Sequence, residues 1–266
     1  MTQDVVLSLT AMISLLPVAI LGWRREAQPE RLFWALLVVS VVGPLTWVLS
    51  HMSGSWRTGF STALWVTVAM TMVLFLVVAV ISPQARRLTA LVVPYMVIVG
   101  VLAILWQQAP EQQLSASAPG TWVGTHIFFS VATYGLVTIA AVAALAATLQ
   151  ERALKGKNPT RLSRLLPSVA DSEALLVRLL LVGEIVLGLG LATGMAAQFG
   201  ETREFLVADH KSILTVTAFL VIGGLLLAHR VSGVRGRMAA RMVLLAYLLL
   251  TLGYPGVKFV TDVILV

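Results

Sequence analysis

Four histidines, His51, His126, His210 and His229, stand out in a chain that has no cysteine. A neutral imidazole can bind iron through one ring nitrogen while the other donates to a carbonyl or carboxylate, which fixes the tautomer. His126 opens the stretch "HIFFSVATYG", and at about 100° per residue Ser130 and Thr133 fall on its side of a helix, with Tyr134 slightly offset. A polar stripe of this kind in an apolar run should look into a helix bundle. Haem takes such axial ligands, and two histidines on opposed helices can clamp it. The same pattern also fits histidines at a membrane interface that simply prefer headgroup water, and spacing alone leaves both readings open.

Glu184, in "LLLVGEIVLG", is the other residue whose setting invites chemistry. A carboxylate deep in an apolar segment is unfavourable unless neutral, paired or hydrated. Glu184 is therefore either a proton-carrying group or a protonated acid bonded to a neighbouring helix. Gly190 and Gly194 form a GxxxG pair with Gly183 a turn or two before, for which close helix packing is sufficient. No His-Glu-x-x-His zinc motif, glycine-rich phosphate loop or G-x-S-x-G elbow is present, so no catalytic set emerges and a classical enzyme is not expected.

The elements that must position these residues follow from composition. Of 266 residues, 58% are hydrophobic and 12% charged, and the mean hydropathy is +0.92. That is far below the charged content of soluble domains and implies an integral membrane protein. The net charge of +7 does not point to nucleic acid, because the basic residues neither gather on one soluble face nor interleave with stacking aromatics. Apolar runs near 5–23, 32–51, 60–82, 88–107, 122–149, 174–198, 212–230 and 239–264 predict about eight transmembrane helices in an all-α, polytopic fold. The runs lack the alternation of a lipid-facing barrel strand. The first run has no basic segment before it and no small-residue cleavage site after it, and it reads as a span rather than a signal peptide.

Arginine and lysine concentrate in cytoplasmic loops, and they alternate strongly here. The first, third, fifth and seventh connections hold Arg24, Arg25 and Arg31; Arg86 and Arg87; Arg152, Lys155, Lys157, Arg161, Arg164 and Arg178; and Arg230, Arg235, Arg237 and Arg241. The opposite side holds only Arg57, Arg203, Lys211 and Lys258. Both termini are expected outside, with His51, His126 and His210 on the outer face and His229 on the inner one. The internal linker should contain a short amphipathic helix before Pro167. With no long loops and no internal repeat, residues 1–266 read as one transmembrane domain. Trp23, Trp47, Trp56, Trp65, Trp106 and Trp122 lie mostly near predicted helix ends and fit an aromatic belt, and Trp34 does not.

Several motifs taken in order add a resemblance: "HIFFSVATYG" at His126 to Gly135, "LLP" at Leu165 to Pro167 followed by Glu173, and "TG" at Thr193 and Gly194. They continue with "DHKSILTVTAF" at Asp209 to Phe219, "AHRVSGVRGR" at Ala228 to Arg237 and "GYPGVKF" at Gly253 to Phe259. From Trp122 to Lys258 the chain resembles the cytochrome c assembly family, the CcsA-like haem-handling membrane proteins, and most closely its short HemX- or YpjD-type members. The resemblance implies haem b as cofactor, with His126 as the external histidine that opens its helix and His229 as the histidine preceding the basic loop. His51 would be the opposing ligand, and His210, to which no family position assigns a role, would replace a missing outer one. It implies a bacterial inner-membrane protein of cytochrome c biogenesis or haem supply, with the lipid bilayer, haem and other cytochrome assembly proteins as partners. Two features depart from the larger members. The outer connection "AAQFGETREFLVADHK" has no tryptophan, and the tail "GYPGVKFVTDVILV" lacks a histidine. A proton-coupled transporter built on Glu184 and a non-catalytic scaffold are the alternatives.

Overall fold

The structure, a computed structural model, describes residues 2–24, 30–52, 56–115, 120–203, 209–234 and 236–264. Arg25 and Arg235 and parts of the fourth and sixth connections, 116–119 and 204–208, lie outside the described residues. The long helices are α1 (Thr2–Gly22), α2 (Glu30–Met52), α3 (Phe60–Ile81), α5 (Thr89–Leu105), α6 (Thr121–Lys155), α8 (Val169–Thr202), α9 (His210–Ser232) and α10 (Gly236–Thr251). The last continues through π-helical turns at Leu252–Gly256 and Val260–Ile264. Short helices α4 (Pro83–Arg86) and α7 (Arg161–Leu165) sit in the connections, α7 where the amphipathic turn before Pro167 is predicted. Among the described residues, seven helices are long and apolar enough to cross a membrane. The fourth predicted span is the exception, because α5 has only 17 residues, about 25 Å at 1.5 Å per residue.

Local chemistry sets the boundaries. Ser82, before Pro83, is pushed out of the helical region to φ −128° and ends α3. The hydroxyls of Thr160 and Ser168 accept the Ser163 and Asp171 N–H groups and start α7 and α8, and Asp209 accepts the Ser212 N–H and starts α9. α8 ends on Arg203 and α9 on Gly233, both in the left-handed conformation.

The most enclosed element is α6, with 35 residues and a length of roughly 50 Å against a hydrocarbon core of about 30 Å. Its buried alanines, Ala140, Ala141, Ala143, Ala144, Ala146 and Ala147, let neighbouring backbones approach closely, which is how helices associate without a hydrophobic driving force. α8 packs along it most extensively, with α10, α3 and α5 around the remainder. α1 and α2 pair with each other and lean on α5 and α3, and α9 fills between α8 and α10. Ile13, Ile20, Ile81, Leu220 and Leu227 are more than half exposed, as lipid-facing side chains should be.

The connections segregate by end. At one end Arg87 donates from Nε to the Leu165 carbonyl at 3.1 Å and from Nη2 to the Arg164 carbonyl at 2.9 Å, and Arg161 donates to the Trp23 carbonyl at 3.2 Å. The first, third and fifth connections therefore meet. At the other end the second and fourth connections form an antiparallel ribbon of β1 (Trp56–Thr58) and β2 (Gln112–Ser115), with Arg57 opposite Gln113 and Thr58 opposite Gln112. The all-α reading of the sequence predicts no strand in either connection. Strands of three and four residues are too short to announce themselves by alternation.

Two tryptophans assigned to the aromatic belt are core residues. Trp47 and Trp65 are buried and stack at 5.5 Å between centroids, and Trp47 Nε1 donates to Ser8 Oγ at 2.9 Å. Both lie more than a turn inside their helices, and α1 reaches Trp47 through Ser8. Trp34 is explained by Arg86, whose guanidinium lies 4.8 Å over its ring.

Candidate functional site

His126 sits in the second turn of α6 and is held by α8. Its Nδ1 lies 2.8 Å from the Gly190 carbonyl oxygen. A carbonyl only accepts, so Nδ1 carries the proton and Nε2 keeps its lone pair. The nearest described partner of Nε2 is Ser130 Oγ at 3.5 Å, the outer limit of a hydrogen bond. The ring lies on Gly194: a Cβ there would be 2.8 Å from His126 Cε1 and 2.9 Å from Nδ1. Gly190 meanwhile faces the Phe129 backbone and side chain. The GxxxG pair thus does more than bring two helices together, because the missing side chain of Gly194 leaves room for an imidazole that the Gly190 carbonyl holds. Thr193, between the two glycines, donates to the same Gly190 carbonyl at 3.0 Å.

The polar stripe of α6 divides further along. Thr133 is buried, and its hydroxyl has no hydrogen-bond partner among the described residues. Tyr134 turns to α10, where its hydroxyl lies 3.1 Å from both Tyr247 Oη and Thr251 Oγ1, and Tyr247 also bonds Tyr95 of α5. These partners escape sequence reading, since Tyr95 and Tyr247 stand 152 positions apart. The only signal available is a hydroxyl in each of three apolar runs.

His51 closes α2 at the ribbon end. Its Nε2 is 3.1 Å from Glu111 Oε1, which also accepts from Thr62 Oγ1 at 2.8 Å, and its ring stacks on Trp47 at 4.6 Å. Glu111 is a lone acid in a polar linker and gives no sign in the sequence of this role. The carboxylate and imidazole form the kind of pair that orients histidine ligands, with Nδ1 then the available nitrogen. His210 is exposed in the first turn of α9 beside Asp209. Backbone bonding from Ser212 holds the Asp209 carboxyl below the usual carboxylate range.

His229 donates from Nδ1 to the Val234 carbonyl at 2.8 Å, again leaving Nε2 as the lone pair. It lines a small cleft with Glu173, whose carboxylate accepts the Gly236 N–H at 2.8 Å. Along α8 the rise from Glu173 to Gly190 is about 25 Å. His229 and His126 therefore belong to opposite ends of the bundle and cannot share one small ligand. No hydrogen bond, ion pair or ring contact joins any two of the four histidines among the described residues. Glu184 projects toward α9: its Oε1 lies 2.9 Å from where a Gly223 Cβ would stand, and Oε2 is buried without a hydrogen-bond partner among the described residues.

The donor chemistry at His126 fits a haem ligand. A fixed tautomer, an uncommitted Nε2 and a backbone acceptor on Nδ1 are what an axial imidazole needs. His229 satisfies the same conditions, whereas His51 offers only Nδ1.

A relative from Azospirillum brasilense, an uncharacterized 28.8 kDa protein in the nifR3-like 5' region, is 54% identical over 270 residues and spans all of both chains. The model of the family described as cytochrome C assembly protein matches residues 30–265. That match takes in every helix from α2 onward and all four histidines. The chain belongs to the cytochrome c assembly protein family.

Proposed function

We propose that this multi-pass membrane protein binds haem b through His126 and serves cytochrome c biogenesis or the control of haem supply. The observation that carries the proposal is the His126 imidazole, tautomer-locked by the Gly190 carbonyl at 2.8 Å and cradled on Gly194. Family membership supports the cofactor class and the role in cytochrome c assembly. Haem, when bound, would supply an iron that takes imidazole nitrogens as ligands. The chain's own residues do the rest. Gly190 keeps the proton on Nδ1, Gly194 leaves room for the ring, and Ser130 Oγ borders Nε2. His51 would hold the iron through Nδ1, with Glu111 and Thr62 orienting its ring. His229, with Glu173 beside it, belongs to a separate inner position, and His210 serves the outer one. The protein acts as a single domain in the bacterial inner membrane, both termini outside, with other cytochrome assembly proteins as partners.

The test is the optical spectrum of haem-loaded protein purified at equal yield. His126→Ala is expected to remove or shift the absorbance, His51→Ala to abolish the low-spin signature, and His229→Ala to leave this site largely intact. Unchanged spectra in both His126→Ala and His51→Ala would defeat the outer-site reading, and loss only in His229→Ala would move haem to the inner end.

One observation favours a second reading. The buried, unpartnered Oε2 of Glu184 at the α8–α9 contact suits a carboxyl that exchanges protons, as in a proton-coupled carrier. Substrate-dependent flux in liposomes that Glu184→Gln abolishes would support it.

A further inference from the structure

At the end of the bundle where the first, third and fifth connections meet, a cavity of about 440 Å3 opens between α1, α2, α5 and the α6–α8 linker. Three arginines, Arg24, Arg86 and Arg87, stand at it, and Phe33, Ala90 and Leu165 contribute apolar wall. The arginines are not equivalent. Arg86 is committed: Nη1 donates to Glu30 Oε1 at 2.9 Å, Nε to the Ala79 carbonyl at 3.2 Å, and its plane covers Trp34. Arg87 spends Nε and Nη2 on the carbonyls of Leu165 and Arg164, neutral acceptors that leave its charge uncompensated. The Arg24 guanidinium has no hydrogen-bond or ion-pair partner among the described residues, its backbone N–H alone being bonded, to the Leu21 carbonyl at 3.0 Å. With Glu30 balancing Arg86, the described residues that line the cavity keep two positive charges, pinned at helix ends.

We propose that this cavity binds an anionic phospholipid, with the phosphate against Arg24 and Arg87 and the glycerol and first acyl carbons over Phe33, Ala90 and Leu165. A phosphate diester accepts charge-assisted hydrogen bonds from guanidinium groups, and arginine suits it better than lysine because its fork matches the oxygens. A free phosphate ion would satisfy the arginines equally. The apolar wall favours a phosphate that carries hydrocarbon, since water over Phe33 and Leu165 is displaced only by an amphiphile. The position also fits: Trp23, at the end of α1 beside the cavity, is 42% exposed, as an interfacial aromatic should be. Basic pockets between transmembrane helices at headgroup depth are known to take such headgroups. Because Arg87 bonds Leu165 and Arg164, an occupant would join α1, α2 and the linker preceding α8 through one headgroup.

The experiment uses full-length protein in neutral detergent, followed by tryptophan fluorescence on heating. Mixed micelles containing phosphatidylglycerol are added, with phosphatidylcholine micelles and inorganic phosphate as separate arms. Phosphatidylglycerol is expected to raise the melting temperature saturably and the other two arms to have no such effect. Arg24→Gln/Arg87→Gln should weaken the apparent affinity by about fivefold per arginine. Arg230→Gln/Arg241→Gln, which removes equal charge from other helix ends, should leave it unchanged. If the double variant does not fold because Arg87 supports the linker, Arg24→Gln alone must still show the fivefold loss, since the Arg24 side chain has no described partner to release. Equal affinity in the Arg24/Arg87 and parent proteins overturns the site. So does equal weakening in both double variants, which would mean diffuse surface charge. An equal response to inorganic phosphate overturns the lipid assignment in favour of a free anion.

Discussion

The imidazole of His126 occupies the space that a side chain at position 194 would need, with Cε1 only 2.8 Å from the place of a Gly194 Cβ. Contacts under about 3 Å between non-bonded heavy atoms require something to move, and an aromatic ring wedged between two helices has little freedom. Gly194→Ala should therefore expel the ring, break the bond from Nδ1 to the Gly190 carbonyl and destabilise the α6–α8 contact by about 1–3 kcal/mol. A lowered melting temperature in detergent checks the packing. A haem spectrum altered in a variant that keeps His126 itself would separate positioning from ligation.

Glu184 gives the opposite expectation. Glu184→Gln removes an ionisable proton from the bundle yet preserves size and hydrogen-bonding capacity, so yield and melting temperature should stay within about 0.5 kcal/mol of the parent. Gly223→Ala should be costlier, because its new methyl meets Glu184 Oε1 at 2.9 Å. The carboxyl group can swing aside, and about 1 kcal/mol is expected rather than several. Thermal unfolding of both variants tests the ordering, and a Glu184→Gln variant that collapses would make the acid structural.

Asp209 caps α9 through the Ser212 N–H at 2.8 Å, which lowers its carboxyl below the ordinary range. A depressed value means that the capping contribution is complete above the unfolded carboxylate pKa of about 4 and fades as pH falls through the lower folded value. Asp209→Ala should be less stable by about 0.5–2 kcal/mol near neutrality. The gap between the two proteins should narrow on acidification below about pH 4, as unfolding curves across pH 3–7 would reveal. A gap that widens toward acid would show that another group governs this helix start.

Topology reporters check the sidedness of all four histidines. Fusions after Arg31, Arg87, Lys157 and Arg237 should report the cytoplasm, and fusions after Pro110 and Glu201 the outside. A reversed pair would exchange the faces assigned to His126 and His229.

What the sequence made legible follows physical range. Helix existence, the alternation of charged ends and the inward stripe from His126 to Tyr134 all depend on periodicity within one segment, and lipid enforces that periodicity strictly. Glycine spacing at 190 and 194 announced a close approach but not its guest, since a histidine 64 positions away supplies it. Glu111 beside His51 and the Tyr95–Tyr247–Tyr134 cluster escaped for the same reason. Side chains that meet only across helices have no local pattern. The burial of Trp47 and Trp65 was missed because hydropathy ranks a belt residue and a core residue alike.

The long, enclosed α6 carries a consequence for how the protein is made. It is the fifth apolar helix to leave the ribosome, and the groups that satisfy its polar stripe come much later. The Gly190 carbonyl follows His126 by 64 residues and the Tyr247 hydroxyl follows Tyr134 by 113. At about 5–20 residues per second, the newly inserted helix waits several seconds with an imidazole and a phenol facing whatever surrounds it. Among the described residues α3 and α5 are the earlier helices that pack most closely on it, and the Gly190 and Tyr247 partners follow both. Quality of assembly is thus decided by the C-terminal third of the chain, and a nascent protein halted before α10 presents the membrane with a hydroxyl-bearing seam that has no lid.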